Sequence, residues 1–414
     1  MNSSYEQKHP LYAASFTKRR KAMDLYEGGE RIEGNRAYLT RHTYESDKQY
    51  DIRASRATYR NFAAPIVDVF ASFINEGRPE RILPDALRPI EADADRYGMT
   101  ADAFFADVTR LAAAGGARFV IVDMEHKKGE TVAEDRASGR RMVPYFTSIS
   151  PDDVWDWGMD AKGLAWAVVH SEEMEHPAAF AAPLRYETLT VWTRDSWTRY
   201  RRPMKDKENT EYALTENGER RHGLGAVPLV PFLFEPTSPM TGLPATDDVL
   251  SLILRIYRRD SELDKMLFDR AVPLLNVGGV SQEHWDTFVV ASSNALMSTE
   301  PGGITAQYVE PSGTAFQAQA EALARDEASV WEIALRMVRP QSAESKAIDK
   351  TQLDTQLASF ARRSGSAEAL CWKIAARWLG AKEDGIKAKY NESYDVGEAT
   401  VKIKGQTPAK EGQG

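Results

Sequence analysis

Between Thr246 and Arg270 the apolar residues Val249, Ile253, Ile256, Tyr257, Leu263 and Leu267 recur at spacings near three and four. That period belongs to an α-helix with one buried stripe. About 24 residues make it roughly 36 Å long, and its other faces carry Arg255, Arg258, Arg259, Asp260, Glu262, Asp264, Lys265 and Asp269. A helix so long and so charged is more than an ordinary surface helix. It suits a strut packed on neighbours along its stripe and open elsewhere. Thr246 or Asp247 stands where an N-cap is needed, and Pro273 leads into an apolar strand running to Gly279.

Upstream, the first fifty residues carry the basic run Lys18-Arg19-Arg20-Lys21 and then Gly28-Gly29 with little periodicity, which predicts an exposed arm with short helices. Between Arg53 and Ile74, the residues Phe62, Ile66, Val69, Phe70, Phe73 and Ile74 share a helical face. Pro65 sits in a first turn or at a kink, and Gly77 closes the segment. Thr100 caps a helix through Phe104, Phe105, Val108 and Leu111 to Gly115-Gly116. The β-branched run ARFVIVDM then predicts a buried strand. Residues 143–234 alternate short Val, Trp, Tyr and Thr runs with Pro, Gly and Asp turns, the pattern of antiparallel hairpins, with the polar segment from Met204 to Gly223 as a hairpin tip.

Downstream, residues 281–297 predict a helix, and ITAQYV predicts a strand bounded by glycines. Three helices follow. They run from Phe316 to Val338, from about Ser345 to Arg363, and from a Ser366 cap to Gly380, the last burying Leu370, Cys371, Ile374, Ala375 and Trp378. A short strand pattern, ATVKIKG, precedes a mobile tail.

At 414 residues the chain exceeds what one core usually supports, so two or more units of about 100–200 residues are expected. Hydrophobic residues at 42%, with nine Trp and fifteen Phe, supply the cores. No apolar run approaches the roughly 18 residues that span a bilayer, and the polar N-terminus lacks a signal peptide's apolar region. The expectation is a soluble chain with no membrane partner. Cys371 stands alone, so it makes no internal disulfide and no thiolate metal site.

A net charge of −8 argues against wrapping nucleic acid tightly, though not against DNA that slides past. There is no phosphate loop, no G-x-S-x-G and no H-E-x-x-H, and GLGAVP is only a fragment of a dinucleotide fingerprint. No catalytic, cofactor-binding or metal residue is assigned, no cofactor is expected, and the chain is not expected to be an enzyme. Two clusters come nearest. His170 and His176 flank Glu172, Glu173 and Glu175, either a metal site or a solvated strand end. Asp152, Asp153, Asp156 and Asp160 form either a carboxylate cluster or turns around a strand whose Trp155 and Trp157 share a face.

Taken in order from about Tyr38 to Gly380, the chain resembles the portal proteins of tailed bacteriophages. The segments that carry the resemblance are AYLTRHTYESDKQYDIRASRATYRNF, LAAAGGARFVIVDMEH, SISPDDVWDWGMD, LGAVPLVPFLFEP, LPATDDVLSLILRIYRRDSELDKMLFDRAVPLLNVGG, AQYVEPSGTAFQAQAEALARDE and ESKAIDKTQLDTQLASFARRSGSAEALCWKIAARWLG. None is specific alone; their order and spacing are. The resemblance implies an α+β, portal-like architecture with an α/β wing, a β-rich unit, a long stem helix and C-terminal helices. Its divisions would be 1–52 as an arm, 53–142 and 143–244 as wing, 245–300 as stem helices and clip, 301–390 as channel loop and C-terminal wing or crown helices, and 391–414 as strand and tail. An extended crown is not expected in a chain that ends soon after residue 400.

The resemblance further implies a ring of about twelve copies at one capsid vertex of the virion, assembled in the host cytoplasm. Double-stranded DNA passes through non-specifically during packaging and ejection. Partners would be the terminase packaging motor, head-completion or adaptor proteins, and the major capsid or scaffolding protein. On this reading Arg255, Arg258, Arg259 and Lys265 lie on the stem or channel, while Ile253, Ile256, Tyr257 and Leu263 form an assembly face. The arginine row is equally readable as a solvated helix face. Competing classes are another virion connector or minor head protein, and an unrelated α+β enzyme or binding protein with a pocket between the β-rich unit and the C-terminal helices.

Overall fold

Gly116, held at φ +85° directly after a helix, turns the chain from Ala101–Gly115 into the strand Ala117–Asp123, on which much of the fold is arranged. The computed structural model describes residues 4–125, 142–206, 211–271, 274–278, 305–309, 313–334 and 343–394. The chain forms two units: Met1–Glu27 with Asn61–Leu250 and Trp331–Gly414, and Gly28–Arg60 with Ser251–Val330.

In chain order the described helices are α1 (Pro10–Glu27), α2 (Asp47–Arg56), α3 (Ala63–Ile74), α4 (Arg88–Ala92), α5 (Ala101–Gly115), α6 (Leu250–Ala271), α7 (Gly313–Ala334) and α8 (Ala343–Leu379). The described strands begin with β1 (Glu80–Ile82), β2 (Ala117–Asp123), β3 (Tyr145–Ile149), β4 (Val154–Asp160), β5 (Gly163–Glu175), β6 (Leu184–Thr193) and β7 (Ser196–Pro203). They continue with β8 (Ala213–Arg221), β9 (Leu229–Leu233), β10 (Glu235–Ser238), β11 (Thr241–Leu243), β12 (Leu274–Gly278), β13 (Thr305–Val309) and β14 (Lys387–Lys389). The class is α+β, as the sequence predicts.

In the first unit the Thr100 hydroxyl accepts the Ala103 N–H at 3.3 Å, the cap read from the sequence. β2 is the middle strand of an antiparallel sheet ordered β3–β2–β9. Phe119, Val120 and Val122 are buried, so the run is apolar on both faces. Phe105 of α5, Phe146 of β3 and Trp372 of α8 close this core, with the Phe146 and Trp372 rings 5.0 Å apart and nearly perpendicular, the edge-to-face geometry that aromatic quadrupoles favour. A second antiparallel sheet, ordered β4–β5–β6–β7–β8, confirms the predicted hairpins and packs on a core rich in tryptophan, including Trp155, Trp157, Trp192 and Trp197.

The sequence expectations fail at identifiable points. The N-terminal segment is not a run of short exposed helices, because α1 spans 18 residues and buries Tyr12, Ala22 and Leu25. His9 stacks on Trp157 at 4.0 Å, and Arg19, from the basic run, bonds Asp152 at 2.8 Å. The Arg53–Ile74 segment is two helices, α2 and α3, with Pro65 in the first turn of α3 where its missing N–H costs nothing. The polar hairpin tip contains a strand, β8, paired with β7 from Ser196↔Arg221 onward; charged residues suit an edge strand.

Ser366 caps nothing. α8 runs unbroken for 37 residues, and the Ser366 hydroxyl donates to the Arg362 carbonyl one turn back. Gly365, between the two predicted helices, is a contact point: a Cβ there would lie 2.7 Å from the Ala388 carbonyl of β14. Of the predicted stripe Cys371, Ile374 and Ala375 are buried and Trp378 is half-buried, whereas Leu370 is exposed and the fully buried Trp372 was left out. The predicted helix at 281–297, residues 335–338 of the predicted Phe316–Val338 helix, the strand pattern at 399–405 and the tail lie outside the described residues.

Candidate functional site

The long helix is present as α6, 22 residues or about 33 Å. It is preceded by a 3-10 turn, Asp247–Val249. Thr246 does stand at the cap position but makes no side-chain cap bond. From Ser251 onward α6 belongs to the second unit, with α2, α7 and the antiparallel pair β12–β13.

Ile253, Ile256 and Tyr257 are 2% exposed or less. Helical spacing puts them on one stripe, and this same chain covers it. Tyr59 meets the Tyr257 ring edge-on at 5.9 Å, and the Tyr257 hydroxyl donates to the Ile32 carbonyl at 3.4 Å. These three expected assembly residues are therefore subunit core, because a covered side chain has no area left for a second copy. Leu263 is half-buried, while Leu267 and Phe268 at the far end of the helix are exposed.

The cationic row divides. Arg255 donates through Nε and Nη2 to the two carboxylate oxygens of Asp326 on α7, at 3.0 and 2.5 Å, and Arg259 donates to the same carboxylate at 2.6 Å. Asp326 is buried. Arg258 donates instead to the Tyr38 carbonyl at 2.8 Å, so it is no freely solvated charge. Gln319 of α7 donates to Glu262 at 3.2 Å. Residues 255 and 259 meet 326 while 262 meets 319, so α6 and α7 run antiparallel, as do β12 and β13 (Leu274↔Val309) beyond them. Arg60 extends the same network, bonding Asp260 at 3.1 Å and Glu327 at 2.6 Å. Lys265 lines a hollow of about 120 Å³ with Ile52, Arg56 and Phe268.

On the α2 side lies a covered ion pair. Arg53 donates through Nε and Nη2 to both oxygens of Glu45 at 2.8 Å, and through Nη1 to Ser261 of α6 at 2.9 Å. Ser46 and Gln49 complete a capping box that fixes the start of α2. Hydrogen bonding from Arg53 holds the Glu45 carboxyl down at about 2. Its folded pKa lies below the unfolded one, so the pair's contribution is present above about pH 4.5 and is lost as pH falls toward 2. Acid unfolding of Glu45→Gln should be correspondingly flatter over that window, measured by circular dichroism; identical acid limbs would contradict the assignment.

The clusters weighed as metal or catalytic sites do not converge. His170 stacks on Trp155 at 4.3 Å, and its two ring nitrogens face Asp153 at 3.4 Å and Glu187 at 3.1 Å on opposite edges. His176 is exposed. Asp152 holds Arg19 and Asp160 holds Arg194, so the aspartates serve separate ion pairs. Among the described residues no group of three or more His, Cys, Asp or Glu is placed to hold a metal, and no described helix is long and apolar enough to cross a membrane.

A family described as "Domain of unknown function (DUF4055)" matches residues 248–379, a stretch that begins at the foot of α6 and ends with α8. Among curated proteins none matches. Solved chains similar to this one include one titled "Neck of native GTA particle computed with C12 symmetry", at 13% identity and TM-score 0.41, covering 89% of this chain and 92% of that chain. Another, "Virion of native gene transfer agent (GTA) particle", is 13% identical with TM-score 0.40, covering 90% and 93%.

Asp326, Arg53 and Arg60 are the residues that sequence reasoning missed. Asp326 falls three after Leu323 and four before Val330, both buried. A lone acid inside an apolar stripe is the signal that marks a covered charge awaiting a cation. Ser46 and Gln49 likewise spell the S-x-x-Q signature of a helix start.

Proposed function

We propose that this chain is a portal protein: one subunit of a closed ring at a capsid vertex, conducting double-stranded DNA inward in packaging and outward in ejection, and docking the packaging motor and head-completion proteins. It acts as a conduit and a dock rather than as an enzyme. The observation that carries the reading is the antiparallel α6–α7 pair continuing into the β12–β13 pair. That arrangement suits a stem of helices leading into a clip, in the chain order that the sequence resemblance assigns. Residues 1–52 and 53–244 would be arm and wing on the same reading, and α8 a C-terminal wing or crown helix.

Charge supports passage over capture. Two guanidiniums of the expected channel row are committed to Asp326, leaving few cations to grip phosphate, and a polyanion that must slide cannot be held tightly. The expected result in a filter-binding or anisotropy titration is micromolar or weaker affinity at about 150 mM salt, indifferent to sequence and falling further as salt rises. Nanomolar affinity for one duplex sequence at that salt would contradict it. Light scattering of the purified chain tests assembly itself: a mass many times 46.3 kDa is expected, and a monomer at every concentration and salt would remove the reading.

A further inference from the structure

Within the first unit, Arg19 of α1 and Arg118 of β2 line one small hollow together with Ser150, Pro151 and Asp152, the residues that follow β3. Its volume is about 20 Å³. One water needs at least about 10–15 Å³, so a single occupant of that size fits, and a phosphate or carboxylate does not. Ser150, Pro151 and Asp152 are half-buried, which leaves the occupant able to exchange with solvent.

The hollow lacks an acceptor. Arg19 is 5% exposed; its Nη1 donates to Ser15 Oγ at 2.5 Å and its Nη2 to Asp152 Oδ1 at 2.8 Å. Its Nε–H is buried with no acceptor among the described residues, and buried donors are rarely left so. The hollow lacks negative charge as well. Arg118 donates only to neutral atoms, through Nε to Ser148 Oγ at 2.7 Å and through Nη2 to the Ser148 carbonyl at 3.3 Å. Burial pulls its pKa below the ordinary guanidinium value, and the carboxylates that oppose this, Asp153 and Asp107, act only through space. Asp153 faces His170 and Asp107 bonds Arg110. Asp152 is matched to Arg19, so two guanidiniums line the hollow against one carboxylate.

We infer that this hollow binds one small monovalent anion of the chloride class, held by the Arg19 Nε–H, the Arg118 guanidinium and the Ser150 hydroxyl. Ser150 Oγ accepts the Asp152 N–H at 3.3 Å and keeps its own proton to donate. A water would satisfy the Arg19 Nε–H but leave the extra positive charge uncompensated, which is costly away from bulk solvent. An anion meets both demands and ties α1 to β2. The chain as a whole has net charge −8, so diffuse attraction for anions does not supply this affinity; the local arrangement does.

The test follows melting of the full chain as sodium chloride replaces sodium gluconate at constant ionic strength. The melting temperature should climb with the logarithm of chloride concentration, by roughly 2–4 °C for each tenfold rise above the dissociation constant. Crystals grown in bromide should show an anomalous peak beside Arg19 and Arg118. Arg118→Lys, which keeps the charge, should keep the response and the peak, whereas Arg118→Gln should lose both. If the Gln variant melts too early to titrate, the parent's response and its bromide peak still decide. Equal melting in the two salts with no peak leaves the hollow to water and overturns the site. A peak without a melting response marks an adventitious ion only, and a response without a peak places the ion elsewhere; either result overturns the site too.

Discussion

Replacing Ile256 by Asp is expected to unfold the second unit at neutral pH. The position is 2% exposed, so the substitution removes a buried aliphatic side chain and leaves a carboxylate without a partner. The two losses together come to about 5 kcal/mol or more, comparable with the whole stability of many domains. Limited proteolysis should open the chain within Gly28–Arg60 and Ser251–Val330, and assembly should be lost with it. The introduced carboxyl would have its pKa raised by burial, so the neutral form suits the fold and stability should partly recover as pH is lowered. Ile256→Val, which keeps the shape, should cost only about 0.5–1.5 kcal/mol. Equal melting of the Asp variant and the parent at pH 7 would show that the stripe is not core.

Arg81→Met should weaken the first unit by about 3–5 kcal/mol, the usual cost of removing one partner of a buried pair. Arg81 bonds Glu368 of α8 and Asp102 of α5. Glu368 is fully buried and also accepts from Trp372 Nε1 at 3.0 Å and from the Tyr390 hydroxyl at 2.6 Å. Burial, and then the Glu368 charge, push the Tyr390 hydroxyl well up, so it stays a donor. Without the guanidinium these two bonds face an uncompensated charge. Adding Glu368→Gln should recover part of the loss, because the amide needs no counter-charge. Chemical denaturation of the single and double variants measures both steps, and a single variant as stable as the parent would contradict the network.

Features set by neighbouring residues were legible in the sequence. Thr100 as cap, Gly116 as the left-handed stop and β2 as a buried strand depend on a few consecutive positions, and all three stand as read. The α6 helix was legible from its period. What covers it was not, because Ile32 and Tyr59 come from about two hundred residues away and no local pattern connects them to Tyr257. That is why the stripe read as an assembly face. Ser366 misled as a cap for a related reason: the small residues there sit inside one helix, where Gly365 lets the Ala388 carbonyl approach, a tertiary fact that no local pattern shows. The arginine row was found by composition but its disposition was hidden, since Arg255 and Arg259 are defined by Asp326 on another helix.

Imaging the purified protein in negative stain, with the particles classified along their axis, decides whether this chain is the ring-forming conduit proposed above. Closed rings of about twelve copies around an open axial hole are expected, with α6 and α7 in the wall of the hole once the map is resolved. Particles of 46.3 kDa and no larger, or rings in which α6 lies at the outer rim, would contradict it.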